Sequence, residues 1–313
     1  YSYMRIIFMG TPDFAVASLK ALIDAGEEVV AVVTGPDKPA GRGQKIHESA
    51  VKQFAVSQNI PVLQPQKLKD PTFLEELKSY RADLQVVVAF RMLPELVWNM
   101  PEKGTINVHA SLLPNYRGAA PINHAIINGE KSSGVTTFLL QHEIDTGNIL
   151  YSTEVPISDT DNAGDLHDKL MVAGAELLIK TVNAIKTGNI NPIPQDDLGE
   201  NSELKHAPKI FKEDCLIDWN KSTEEVYNLI RGLSPYPAAF THLDGKVLKI
   251  YSAEKEITGH KGLPGSYLSD GKTSLKFATG DGYLKLTEVQ IEGKKRMLVS
   301  DFLRGFRLDK LTD

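Results

Sequence analysis

Along the first 187 residues, short apolar runs rich in Val and Ile alternate with stretches whose apolar residues recur at helical spacing. Met4–Gly10, Glu28–Thr34, Ile60–Leu63, Leu84–Phe90, Gly104–Ala110, Gly134–Gln141 and Ile149–Ile157 read as strands. Between them, Phe14–Ala25 carries Phe14, Val16, Leu19, Leu22 and Ile23 as a packed helix would. Helices are also expected at Glu48–Gln58, Pro71–Tyr80, Pro94–Met100 and Ala119–Asn128, and a long amphipathic one at Asn162–Lys186. Strands and helices alternating through short links predict an α/β fold, a doubly wound, mostly parallel sheet with helices on both faces. Ligands of such sheets sit beyond the carboxyl ends of the strands.

The regularity ends after residue 187. Asn191-Pro-Ile-Pro-Gln, followed by Asp196, Asp197, Gly199 and Asn201, reads as a polar linker. A helix over Ser222–Leu233 opens with Ser222 and Glu225 spaced as a capping box. Beyond Pro237, short Thr/Val/Leu/Tyr runs are broken by turns at Asp244-Gly245, Pro264-Gly265, Asp270-Gly271, Gly280–Gly282 and Glu292-Gly293, the pattern of a small β-barrel. The expected organisation is therefore a first domain at 1–188, a linker at 189–210 and a second domain at 211–313. Residues 1–3, ahead of Met4, read as a cloning scar.

Composition narrows the class. With 42% apolar, 24% charged and 7% aromatic residues the chain is an ordinary folded protein, and no apolar run approaches the roughly 18 residues of a membrane span. The single cysteine, Cys215, forms no internal disulfide, and nothing marks a secretory leader; a reducing, cytoplasmic setting is expected, with Cys215 a packing residue. The net charge of −5 is uneven: residues 207–313 hold 17 Lys and Arg against 15 Asp and Glu, and residues 1–206 hold 18 against 25. A polyanionic partner would thus be met by local patches.

The first strand ends Met9-Gly10-Thr11-Pro12-Asp13. Pro12 removes a backbone donor and Asp13 repels an anion, so a dinucleotide or P-loop turn is excluded there. Asn107 and His109, two apart on a predicted strand, share one face near its carboxyl end. A lone strand-end histidine commonly just satisfies a backbone carbonyl. Asp145 follows in a Gly-terminated loop, where a carboxylate would orient the His109 ring. Asp-Thr-Gly is also an aspartic-protease signature, but a single copy amid α/β alternation fits that poorly. The other histidines, His47, His124, His142, His167, His206, His242 and His260, lack metal-ligand spacing, so chemistry without a metal is expected.

Asn107-x-His109, the run Ser111-Leu-Leu-Pro-Asn-Tyr-Arg-Gly-Ala-Ala-Pro121 and Asp145-Thr-Gly, 36 positions beyond the histidine, together resemble the signature of formyltransferases that use 10-formyltetrahydrofolate. Within that superfamily the chain is most similar, over nearly its full length, to the methionyl-tRNA formyltransferase family. The resemblance implies a Rossmann-like catalytic domain, a linker and a C-terminal OB-like, tRNA-binding barrel. It maps the catalytic residues onto Asn107, His109 and Asp145, and folate contacts onto Ser111, Leu112, Leu113 and Pro114. The pterin pocket would draw on Phe90, Arg91, Met92 and Leu93 and on Ile144 entering the Asp145 loop. It implies a monomer acting on initiator methionyl-tRNA, with the folate as co-substrate and no metal.

The acceptor is read from Gly35-Pro-Asp-Lys-Pro-Ala-Gly-Arg-Gly-Gln-Lys45, a polar stretch with three glycines, two prolines and three cations. Such a long link without apolar anchors is expected to be structureless until an anionic partner orders it. Lys38, Arg42 and Lys45 suit phosphates, and the resemblance assigns the stretch to the tRNA acceptor stem. Lys294, Lys295 and Arg296, with Arg304 and Arg307 beyond them, offer a second basic turn for the tRNA backbone. A formyltransferase acting on an amino-sugar nucleotide, and a non-catalytic nucleic-acid-binding protein, are the alternatives. A glycinamide-ribonucleotide formylase would want a glycine-rich first turn, and a formate-releasing hydrolase a regulatory domain ahead of the sheet.

Overall fold

The computed structural model describes residues 3–43, 45–198, 203–259 and 262–311. Residues 1 and 2 of the expected scar, Gln44 of the basic stretch, Gly199 and Asn201 of the expected linker, and His260 lie outside the described residues. The chain forms two compact units. One gathers Tyr1–Gly118, Ser133–Pro156 and His167–His206; the other gathers Ala119–Ser132, Ile157–Leu166 and Ala207–Asp313. The division is not contiguous in sequence, because two inserted segments belong with the C-terminal unit.

The strands of the first half are β1 (Arg5–Gly10), β2 (Glu28–Val33), β3 (Lys38–Ala40), β4 (Lys45–His47), β5 (Val62–Leu63), β6 (Leu84–Val88), β7 (Thr105–His109), β8 (Ser132–Leu139) and β9 (Ile149–Pro156). The helices are α1 (Asp13–Asp24), α2 (Ala50–Ser57), α3 (Pro71–Ser79), α4 (Glu95–Trp98), α5 (Pro121–Ile127) and α6 (Ala163–Thr187). Seven strands build one sheet in the order β5-β2-β1-β6-β7-β8-β9. Pairings from β5 to β7 are parallel, and β7 with β8 is antiparallel. β1 must be apolar on both faces because it lies inside the sheet: Ile6, Ile7, Phe8 and Met9 are fully buried. Helix starts are marked locally, by the Ser49 hydroxyl accepting from the Lys52 amide at α2 and by Asp70 with Pro71 at α3. The chain runs outward from β1 to β2 and β5, then returns to β6 beside β1. That reversal opens a crevice at the carboxyl ends of the central strands, with β7 next to it.

Two segments of this unit differ from the sequence expectation. The basic stretch is not structureless: β3 and β4 pair as an antiparallel ribbon, Lys38 opposite His47 and Ala40 opposite Lys45. Gly41 and Gly43, at φ 75° and 91°, supply left-handed conformations that the tip requires. A ribbon wet on both sides needs no alternation of apolar residues, and Pro39 hides it further. The stretch after α6 is also built into the sheet edge, where Ile193 and Ile149 exchange two backbone hydrogen bonds of 2.8 Å.

The second unit carries β10 (Ala239–Leu243), β11 (Lys246–Ile257), β12 (Tyr267–Ser269), β13 (Leu275–Ala278), β14 (Gly282–Ile291) and β15 (Met297–Leu298), with helices α7 (Thr223–Leu233) and α8 (Val299–Gly305). Its sheet is an antiparallel half-barrel of order β10-β11-β14-β13-β12, with β15 on β14. Register shifts between Ile250 and Ala253 bend the long β11. The expected capping box is present, the Glu225 amide donating to the Ser222 hydroxyl at 3.1 Å. Val226, Ile230 and Leu233 of α7 pack into a core with Leu248, Phe277, Leu284 and Phe302, and Cys215 is buried in the same core. Burial pushes the Cys215 thiol pKa up, as suits a packing residue. Among the described residues no helix is long and apolar enough to cross a membrane.

Candidate active site

β7 presents Thr105, Asn107 and His109 on one face, and the Thr105 hydroxyl is spent on the Gln85 side chain and the Trp98 carbonyl, which leaves Asn107 and His109 as the polar pair toward the strand's carboxyl end. Ile106 and Val108 are buried on the other face, Asn107 is half-buried, and His109 is 7% exposed. The strand is hydrogen-bonded on both sides, so these two positions are set by sheet register: Asn107 lies opposite Val87 and Phe138, and His109 opposite Thr136.

The chain then folds back over the strand end. The Ser111 hydroxyl donates to the Asn115 carbonyl at 2.7 Å, and the Thr136 hydroxyl donates to the Ser111 carbonyl at 2.6 Å while accepting from the Leu113 amide at 3.1 Å. Thr136 thereby pins the Ser-Leu-Leu-Pro run to β8. Tyr116 follows in the left-handed region, φ 60°, and its carbonyl lies 2.9 Å from His109 Nε2. A carbonyl only accepts, so Nε2 donates to it and Nδ1 is left for the opposite side of the ring. There stands Asp145, whose Oδ2 is 3.8 Å from Nδ1, a charge contact longer than a direct hydrogen bond.

Asp145 occupies a loop between β8 and β9 with φ 55°, a conformation that costs a non-glycine residue on the order of 1–3 kcal/mol. The Gly118 amide donates to its Oδ2 at 3.0 Å. Gly147 is required two residues later, because a side chain there would run into the Leu139 backbone. The backbone carbonyls of Asp145 and Gly147 both accept from the amide of Gln195, at 2.7 Å each. Gln195 Oε1 accepts in turn from Arg117 Nε and Nη2, at 3.1 and 2.8 Å.

The expected folate residues divide by environment. Ser111, Leu113 and Pro114 are buried, Leu112 is half-buried, and Leu113 packs with Phe138 and Ile149. Phe90 and Leu93 join a neighbouring cluster, with Leu140 touching both groups. Arg91 commits its guanidinium to the carbonyls of Pro65 and Gln66, at 2.8 and 3.1 Å, and lies over the Phe90 ring. Met92 and Ile144 are exposed.

Of the expected tRNA residues, Lys38, Arg42 and Lys45 all project from the exposed β3–β4 ribbon. Its base is tied down by Asp37, which pairs with Lys52 at 2.7 Å and accepts from Gln64 at 2.8 Å. Lys294 and Lys295 are exposed in the β14–β15 turn. Arg296 is engaged within its own unit: it meets Glu288 with two nitrogens and lies 4.1 Å from the centroid of the Tyr251 ring. Two participants escaped sequence reasoning, the Tyr116 carbonyl and Gln195. A main-chain oxygen leaves no trace in residue identity, and Gln195 sits in a polar, proline-bearing stretch that reads as linker. Among the described residues, no group of three or more His, Cys, Asp or Glu converges as a metal site would.

A formyl transferase family model matches residues 4–182, and a formyl transferase C-terminal domain model matches residues 209–307. The chain is 54% identical over 310 residues to the methionyl-tRNA formyltransferase of Bacteroides thetaiotaomicron, covering 97% of this chain and 96% of that one. Among solved structures it is similar to HypX from Aquifex aeolicus bound to tetrahydrofolic acid, with TM-score 0.68 and 20% identity; the match covers this whole chain and 49% of HypX. It is also similar to an N-formyltransferase from Helicobacter canadensis complexed with folinic acid and dTDP-3-aminofucose, with TM-score 0.67, 20% identity, and 94% and 100% coverage.

Proposed function

We propose, from the premise that this chain belongs to the formyl transferase family and stands among its methionyl-tRNA formyltransferases, that it moves the formyl group of 10-formyltetrahydrofolate onto the α-amine of initiator methionyl-tRNA. The observation that supports this is the Asp145 carboxylate facing the His109 ring at 3.8 Å, with Asn107 two residues before His109 on the same face of β7, in a chain similar along its length to an enzyme of that name.

The reaction joins an amine to the formyl carbon on N10 of the folate. Attack makes a tetrahedral oxyanion, which needs donors already in place. The Asn107 amide, half-buried beside His109, is suited to that role. The amine sheds a proton as it bonds and N10 gains one as it leaves; the His109 ring, held by the Tyr116 carbonyl and faced by Asp145, is placed to mediate both transfers. No covalent enzyme intermediate is needed, since holding the two reactants together supplies much of the acceleration.

Ser111–Pro114 and Phe90–Leu93, with Ile144, line the folate side in this reading. Lys38, Arg42 and Lys45 take the acceptor stem, and Lys294 and Lys295 give a further phosphate contact, with Arg296 orienting that turn through Glu288. The catalytic work falls to 1–188 and tRNA support to 211–313, in a cytoplasmic monomer that uses no metal. The amino-sugar nucleotide alternative has only fold-level likeness behind it. Incubation with 10-formyltetrahydrofolate and charged initiator tRNA should yield formylmethionyl-tRNA. Formylation of a dTDP-amino sugar in its place would overturn the acceptor, and no transfer to either would overturn the activity.

A further inference from the structure

We infer that Gln195 is a positioning residue for formyl transfer: from the segment after α6 it sets the Asp145 loop against His109. The inference rests on the reading just given and adds a part to that site.

Gln195 is 3% exposed, and its amide is used in full. A glutamine amide has two N–H donors and one oxygen with two lone pairs. Here both donors go to the carbonyls of Asp145 and Gly147, and the oxygen takes two N–H groups of Arg117. A buried amide satisfied on every side holds its partners at fixed separations. Its own backbone is anchored two residues earlier, where Ile193 pairs with Ile149 of β9.

Asp145 needs such a brace. Its left-handed backbone persists only where the surroundings over-determine it. Its supports are the Gly118 amide at its carboxylate and the Gln195 amide at its carbonyl. Arg117, held by Gln195, directly precedes Gly118, so the contacts close a ring: Gln195 to Arg117, on to Gly118, across to Asp145 and back to Gln195. The carboxylate and the N–H that aims it are thereby referenced to one side chain. The Tyr116 carbonyl that anchors His109 is on the same short run, so the ring also fixes the imidazole relative to its carboxylate.

The test measures formyl transfer by the full chain with Gln195→Met and Gln195→Glu, each alone and with Asp145→Asn. Loss of positioning should lower kcat on the order of tenfold or more, with KM for folate and tRNA within about threefold of wild type. In the Asp145→Asn background, Gln195→Met should cost less than about twofold further, because the group it places no longer acts. Gln195→Glu keeps an acceptor for Arg117 but turns its second oxygen toward the two carbonyls it served, so it should share the loss of turnover. Both variants are assayed well below their melting temperatures, and the comparison in the Asp145→Asn background is the readout that a mere loss of stability would not move. Full turnover in both single variants, or an undiminished loss on top of Asp145→Asn, would overturn the positioning role. A wild-type chain unable to formylate methionyl-tRNA would instead overturn the function proposed above, and this inference with it.

Discussion

The three polar groups of the candidate site are held in two different ways. Asn107 and His109 ride on β7, a strand paired on both edges, whose register alone decides where their side chains emerge. Asp145 rides on a loop and reaches His109 only through a left-handed residue, a glycine pressed against β8 and borrowed hydrogen bonds. A strand positions by repetition of the backbone, whereas a loop must be braced point by point. Damage should therefore act on the strand residues through their chemistry and on the loop through its supports.

The strand side predicts the largest effects. His109→Ala, and separately Asn107→Ala, should reduce kcat on the order of 10²-fold or more with the melting temperature nearly kept, if each supplies the group proposed above from an otherwise intact sheet. Near-normal turnover by both would break the comparison at its strand end.

Gly147→Ala tests the loop. Its Cβ would collide with Leu139, and relief requires the Asp145 loop to move. A shift of about 1 Å should cost roughly 10–10²-fold in kcat, with a lower melting temperature as well. An alanine variant with unchanged turnover would show that the loop tolerates displacement.

Thr136→Val lies between the two cases, because Thr136 faces His109 on β8 yet pins the Ser111–Pro114 run with its hydroxyl. Leaving the Leu113 amide and the Ser111 carbonyl without this partner should destabilise the fold by about 1–3 kcal/mol. The kinetic loss should fall on KM for folate more than on kcat, and a pure kcat effect would move Thr136 into the reacting machinery.

Arg42→Ala should give the smallest effect on chemistry: kcat preserved, and KM for tRNA raised on the order of tenfold at low salt and by a smaller factor at higher salt, because one phosphate contact fewer makes the salt dependence shallower. Equal effects on folate and tRNA would remove the β3–β4 ribbon from the acceptor site.

Much of the first unit could be read directly because its sheet is buried on both faces. Runs such as Ile6–Met9 and Leu84–Val88 announce themselves as strands, and their alternation with α1, α3 and α6 implies the winding. Asn107 and His109 were legible for the same reason, as polar exceptions at alternate positions of a buried strand. In the structure the His109 ring satisfies a backbone carbonyl on one side and faces Asp145 on the other. The β3–β4 ribbon was not legible, since a two-stranded hairpin with wet faces carries no periodic burial. α8 was missed because its buried Val299, Phe302 and Leu303 span too few residues to separate a helix from the preceding strand run.

By itself the sequence determined the alternation of the buried strands with α1, α3 and α6, the polar face of β7 and the capping box of α7, each of which depends on residues close together along the chain. Tertiary structure alone decided how Asp145 faces His109, that the Gln195 amide hydrogen-bonds the Asp145 loop, and that Arg296 is tied to Glu288. Those facts depend on main-chain oxygens and on partners 50, 78 or 8 residues away, whose meeting is selected by the packing of the whole unit and not by any local preference.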